Sequence, residues 1–177
     1  MPKPIKRRSN ILGFSLLEVL ITVLLITVGV LGMVAMQGRS IQYTNDSMNR
    51  TQAAILANEL IEIIRASPTS TVTGDAFYVT EADDLPTSSG DCRAIGATAL
   101  MDDQVTCWAD KVRVLLPDSG SAAISSQFYI CRSALPGSCG DGAAVEIQLA
   151  WRAAGGQCLN NDAVDSDICT YRVRTQI

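Results

Sequence analysis

From Val19 to Gly38 the chain carries twenty residues in succession without a charge, and the residue just before them is the acid Glu18. As a helix rising about 1.5 Å per residue, such a run crosses a hydrocarbon core of roughly 30 Å. The segment must therefore lie in a membrane or be covered by other apolar helices. Lys3, Lys6, Arg7 and Arg8 precede it, and basic residues on one flank of a span stay on the cytoplasmic side. An ionisable group at the start of a membrane helix is costly and usually functional, which makes Glu18 the first candidate site residue.

A secretory signal peptide has an apolar stretch of about 7–15 residues and a small-residue cleavage site after it. Here the run is too long, and Val34-Ala35-Met36 is a poor substitute for that site. An ordinary single-pass anchor accounts for the length and the basic flank. It leaves Glu18 as a penalty of up to about 2.5–3.5 kcal/mol, smaller near the interface.

A third reading uses every feature. Gly13-Phe14-Ser15-Leu16-Leu17-Glu18 resembles the leader junction of type IV pilins and of the related type II secretion pseudopilins. The resemblance implies that an inner-membrane prepilin peptidase cuts between Gly13 and Phe14 and methylates the new amine of Phe14. Residues 1–13 are then a removed basic leader, and the apolar segment, 14–38, is retained as the transmembrane part. Glu18 falls on the family's fifth mature position. The Phe14 amine and the Glu18 carboxylate lie one helical turn apart. Each needs a partner in an apolar bundle, because an unpaired buried charge is heavily penalised. Glu18 of an incoming subunit pairing with the amine of one already assembled would set the register.

The apolar pattern continues past the span. Ile41, Met48, Ile55, Leu56, Leu60, Ile63 and Ile64 recur near helical spacing among Arg39, Asp46, Arg50, Glu59, Glu62 and Arg65, which predicts an amphipathic stripe. Ala53, Ala54 and Ala57 favour helix, and Ser67-Pro68 supplies a stop. One helix over 14–66 is roughly 80 Å long. Gly29, Gly32 and Gly38 fall within it, and the pilin resemblance implies close helix contact or local unwinding there when subunits pack; glycine is also common in membrane helices.

Residues 67–177 suffice for one modest head domain. All six cysteines lie there: Cys92, Cys107, Cys131, Cys139, Cys158 and Cys169. Cysteines confined to the exported part imply an oxidising compartment and up to three bridges, with fifteen possible pairings. Sequential pairing gives the shortest loops, and the sequence leaves the choice open. Without CxxC spacing or any histidine, a zinc site is disfavoured.

Alternation at Val112, Val114 and Leu116, at Val145, Ile147, Leu149 and Trp151, and at Tyr171, Val173 and Thr175 against Arg172 and Arg174 predicts half-buried antiparallel strands. Phe128-Tyr129-Ile130 reads as another strand, and Ala76–Thr80 as a weaker one. Loops are expected over Asp83–Asp91, Pro117–Ser121, Pro136–Gly142 and Gly155–Asp167. The fold expected is α+β and pilin-like: a long N-terminal helix whose second half is covered by an antiparallel, disulfide-bonded sheet. Trp108 and Trp151 read as core residues. Asp162, Asp165 and Asp167 with Asn160 and Asn161 do not follow a calcium-loop pattern.

Function classes narrow accordingly. The chain has no histidine for general-base work, no G-x-S-x-G and no phosphate loop. Asp83-Asp84 and Asp102-Asp103 are expected in solvated loops. Losing residues 1–13 removes four of the 14 basic side chains and none of the 18 acids, for a net charge near minus eight. Such a surface disfavours nucleic-acid backbone binding. No enzyme and no cofactor are expected.

The stretches GFSLLEVLITVLLITVGVLGMVAMQ and QAAILANELIEIIRA are similar to the minor pilin family called type IV pilus modification protein, PilV. The resemblance covers residues 7–66 and is only architectural beyond them. It implies a subunit that joins other minor pilins to prime pilus assembly and sits at the tip. The implied partners are minor and major pilins, the prepilin peptidase, the inner-membrane assembly platform and membrane lipid. The head is implied to face the periplasm and then the cell surface. A type II secretion pseudopilin and a membrane-anchored tip adhesin are the alternatives.

Overall fold

The structure is a computed structural model, which describes residues 13–66, 79, 85–88, 90–93, 96, 100–153, 158 and 167–176. Lys3 to Arg8, the Ser67-Pro68 stop, Asp83-Asp84 and Asn160 to Asp165 lie outside the described residues. Helix α1 runs Leu16–Ala66. The chain divides into two compact units, one ending at Ser40 and the other beginning at Ile41, and each is described by itself.

In the first unit α1 is uncovered. Leu20, Leu24, Leu31 and Val34 are all exposed, and none of its most apolar 18-residue window is buried. Two hydroxyls on this stretch are satisfied within the helix. Thr22 and Thr27 donate to the carbonyls of Val19 and Leu24, each at 2.8 Å, as polar groups in apolar surroundings must. The helix continues through Gly29, Gly32 and Gly38 without a break, as the expectation of one continuous helix has it.

In the second unit the same helix is two-faced. Ala53, Leu56, Ala57, Leu60, Ile61 and Ile64 are buried at i, i+3, i+4 spacing, and they meet the sheet and a second helix. Ile41, Met48 and Ile55 were expected in that stripe. They are instead exposed, spaced seven residues apart on another side of the helix.

Helix α2, Met101–Leu115, corrects the expected strand over Val112–Leu116. Val105, Trp108, Ala109 and Val112 are its buried stripe, whereas Val114 is 83% exposed. The apparent alternation was a fragment of a helical period. Asp102 and Asp103, expected in a loop, occupy its first turn, where carboxylates face the positive end of the helix dipole. Pro117–Ser121 is a turn, as expected, followed by the short helix α3, Ala122–Ser125.

The sheet holds β1 (Tyr129–Leu135), β2 (Ser138–Cys139), β3 (Ala144–Arg152) and β4 (Ile168–Gln176) in the order β2-β1-β3-β4. All pairings are antiparallel, with Ile147 opposite both Ile130 and Val173. Val79, the described part of the weak strand expected at Ala76–Thr80, forms a bridge with Ile130. Val145, Ile147, Leu149 and Trp151 enter the core. The expectation of a half-buried β3 is corrected: Ala144, Glu146, Gln148 and Ala150 are buried as well, so both faces of this strand are covered.

The cover over the outer face is the hairpin after β1. Glu146 accepts hydrogen bonds from the Tyr129 hydroxyl at 2.8 Å, the Ser133 hydroxyl at 2.9 Å and the Gly137 amide at 2.8 Å, with Arg172 at 3.4 Å. A buried carboxylate needs this full set of partners. Gly137 has φ +79°, open to glycine at little cost, and a Cβ on Gly142 would fall 1.9 Å from the Ser133 backbone. The sequence permits the hairpin to lie this close because both positions lack a side chain.

Both tryptophans are buried, and each donates its indole N–H to α1. Trp108 Nε1 reaches the Leu56 carbonyl at 2.8 Å, and Trp151 Nε1 reaches Asp46 Oδ1 at 2.9 Å. Arg50 lies over the Trp151 ring, 6.0 Å from its centroid, a favourable cation–π placement. Replacing Trp151 by Phe strips an N–H donor from a buried carboxylate, whereas Trp108→Phe removes a second donor from a carbonyl within the helix ladder. Chemical denaturation of the full chain in micelles is expected to show a loss of about 2–4 kcal/mol for Trp151→Phe and roughly 1 kcal/mol less for Trp108→Phe. Equal losses would contradict this unequal dependence.

Candidate assembly surface

Gly13, Phe14 and Ser15 lie just ahead of α1 and are fully accessible, with Phe14 85% exposed. The Ser15 carbonyl accepts the amides of Glu18 at 3.0 Å and Val19 at 3.3 Å, closing the first turn. Glu18 is therefore a first-turn acid on an exposed helix end, favourably placed against the helix dipole. Phe14 stands two residues before the helix. A Cβ added at Gly13, Gly29, Gly32 or Gly38 would meet nothing within 4 Å. Nothing in the described fold requires glycine at these positions, and each leaves a shallow spot on an exposed surface.

The head presents rigid rather than reactive chemistry. All six cysteines are oxidised, pairing Cys92 with Cys107, Cys131 with Cys139 and Cys158 with Cys169. The first holds the 90–93 segment to α2, the second closes the β1–β2 hairpin, and the third ties residue 158 to β4. Bridges of this kind contribute about 2–4 kcal/mol each, mainly by restricting the unfolded chain.

Around α2 the polar groups serve as clamps. Lys111 Nζ meets Glu59 Oε2 of α1 at 2.6 Å. Arg113 donates to the carbonyls of Leu85 and Pro86 and pairs with Asp110 at 2.9 Å, while Ser88 donates to Asp110 from its hydroxyl and amide. The Ser88 hydroxyl bond above all, with Arg113 beside it, outweighs partial burial and holds the Asp110 carboxyl below its usual range. Asp118 is lowered too, chiefly by its hydrogen bond from Arg152 at 2.7 Å. Both acids stay ionised, unlike general acids tuned upward for proton donation.

A groove of about 700 Å³ lies alongside α2, lined by Ile63, Arg93, Gln104, Lys111 and Val114 with the Cys92–Cys107 bridge. Its ionic groups include the Lys111–Glu59 pair and clamped Asp110, so it offers no free acid–base couple. Among the described residues no group of three or more histidines, cysteines or acids is placed to hold a metal ion. Sequence reasoning had picked out Glu18 and the cysteines but not Asp46, Asp110 or Glu146. The only sequence signal for Asp46 was an acid on the helix within reach of its buried stripe.

A family model described as Tt1218-like, type IV pilin Tt1218, matches residues 35–107. The matched stretch begins in the apolar segment, includes the head-docked half of α1 and ends at Cys107 in α2. No curated protein and no solved structure matches the chain.

Because the folded Asp110 value lies below the unfolded one, its clamp contributes stability above the ordinary carboxylate range, lost as pH falls through the folded value. An NMR titration of the full chain in micelles should give Asp110 a midpoint below its ordinary 3.8, with the Ser88 amide shifting alongside. A midpoint at or above that value would contradict the clamp. With the long helix docked on an antiparallel, disulfide-bonded sheet, the match supports a general place in the type IV pilin family and is consistent with a non-catalytic structural subunit.

Proposed function

We propose that this chain is a minor pilin that takes part in priming type IV pilus assembly, within a minor-pilin complex at the tip. The observation that carries the reading is the uncovered half of α1. Its own fold buries none of the apolar window, while the other half of the same helix is held by the head. Such a surface must be covered by lipid before assembly and by other helices after it, since an exposed patch of this extent is unstable in water. The exposed Ile41, Met48 and Ile55 extend an apolar row toward the head, which supports helix-to-helix cover beyond the membrane thickness.

In this reading residues 1–13 are the leader, 14–38 cross the inner membrane, and 67–177 form the head on the periplasmic and later cell-surface side. The prepilin peptidase cuts after Gly13 and methylates Phe14. Exposure of Gly13, Phe14 and Ser15 ahead of the helix suits a junction that a peptidase must grip in extended form. Glu18 then pairs with the Phe14 amine of a neighbour. In a low-dielectric bundle either charge left unpaired is heavily penalised, so the pairing favours the register that brings both together. Platform and ATPase partners move the helix from lipid into the bundle, where minor and major pilins are its neighbours. The chain contributes shape and register and transforms no substrate.

Glu18→Ala removes the carboxylate without disturbing the apolar face. The variant should insert into the membrane and accumulate normally, while pilus number, counted by electron microscopy, falls several-fold. Unchanged piliation at unchanged protein level would overturn the register role.

A further inference from the structure

We propose that the outer edge of β4 is a docking edge for an extended strand of a different filament subunit, one that alternates acidic and apolar residues. The inference rests on the filament-subunit reading and adds to it a partner chemistry and a place on the head.

The two edges of the sheet are built differently. At the β1 side, Val79 bridges Ile130, β2 is only two residues long, its pairing carries a register shift, and Pro136 stands in the turn. Short strands, bulges and proline are the usual means of stopping edge-to-edge pairing. At the other side, among the described residues, β4 has none of them. It is nine residues long, contains no proline or glycine, and pairs with β3 in unbroken register from Ile168 to Gln176.

Charged side chains are another guard for an edge, and here the two arginines bend back over the outer face, where both stay exposed. Arg172 reaches back over the sheet to Gln148 Oε1 at 2.9 Å and to Glu146, and Arg174 reaches the carbonyls of Ser133 and Ala134 at 3.0 and 2.8 Å. Their positive charge lies on the outer face beside the edge without blocking it. Underneath, Leu149 and Ile147 are fully buried, but their β4 partners Tyr171 and Val173 are only partly so. Among the described residues nothing completes the core layer over Tyr171 and Val173.

These features select the occupant. In antiparallel pairing of β4 with a second copy, registers centred on Arg172, Val173 or Arg174 all set arginine opposite arginine, a destabilising cross-strand pair. A strand of another subunit with acids facing Arg172 and Arg174, and apolar residues beside Tyr171 and Val173, satisfies both faces. Its main chain supplies the ladder bonds, as in strand addition generally.

The test is hydrogen exchange by mass spectrometry on the full chain, alone in micelles and again in filaments sheared from cells. Amides in 171–176 are expected to exchange at least about ten-fold more slowly in filaments. Val173→Lys, or the milder Thr175→Lys, should abolish that protection in chains that keep all three disulfides. Arg174→Lys should couple by carbodiimide to an acid of another subunit. Presence in filaments with β4 exchanging as in micelles overturns the proposal alone. Absence from filaments overturns the filament-subunit reading and this proposal with it. Protection that appears in the isolated chain as concentration rises identifies a second copy as the occupant and also overturns it.

Discussion

Two buried indoles hold this head to its helix. Trp108 comes from α2 and Trp151 from β3, yet both direct their N–H groups to α1, at Leu56 and Asp46. An indole buries a large apolar area but leaves one donor that must be satisfied. Those two donors fix where along α1 each element can sit, because the apolar stripe alone would tolerate sliding by a turn. Asp46 and Leu56 are ten positions apart, about 2.8 helical turns, so the latches grip the helix at heights roughly 15 Å apart and about 80° apart around it.

From that anchoring follows the division of labour along α1. The side facing the head is used up by Ala53, Leu56, Ala57, Leu60 and Ile64, while Ile41, Met48 and Ile55 remain exposed. Toward the N-terminus the helix carries apolar residues on all sides, and none of its most apolar window is buried. The head in turn is stiffened by three disulfides and by Glu146, whose hydrogen bonds draw the β1–β2 hairpin over the sheet.

Much of this was legible in the sequence, for identifiable reasons. The apolar run, the strand positions of β3 and β4, and cysteines confined to the head are local patterns that survive in the fold, although packing buries both faces of β3. The failures were equally physical. Val112, Val114 and Leu116 imitate a strand, and only the upstream Val105, Trp108 and Ala109 reveal the helical period. The burial of Glu146 depends on a hairpin folding back, which no alternation can encode. The indole acceptors are 52 and 105 residues from their donors, so the latches are visible only in three dimensions. For the assembly surface, the sequence indicated Glu18 and the Gly13–Phe14 junction; the structure adds their exposure and the uncovered helix, and the type IV pilin match begins farther along, at residue 35.

The central claim is that α1 belongs to a filament subunit processed at its leader junction. Its most direct test is the intact mass of the membrane-extracted protein from cells with and without the prepilin peptidase. The account predicts a chain beginning at methylated Phe14 when the enzyme is present and a precursor longer by residues 1–13 when it is absent. A full-length mass in both strains would contradict it and leave an ordinary membrane anchor.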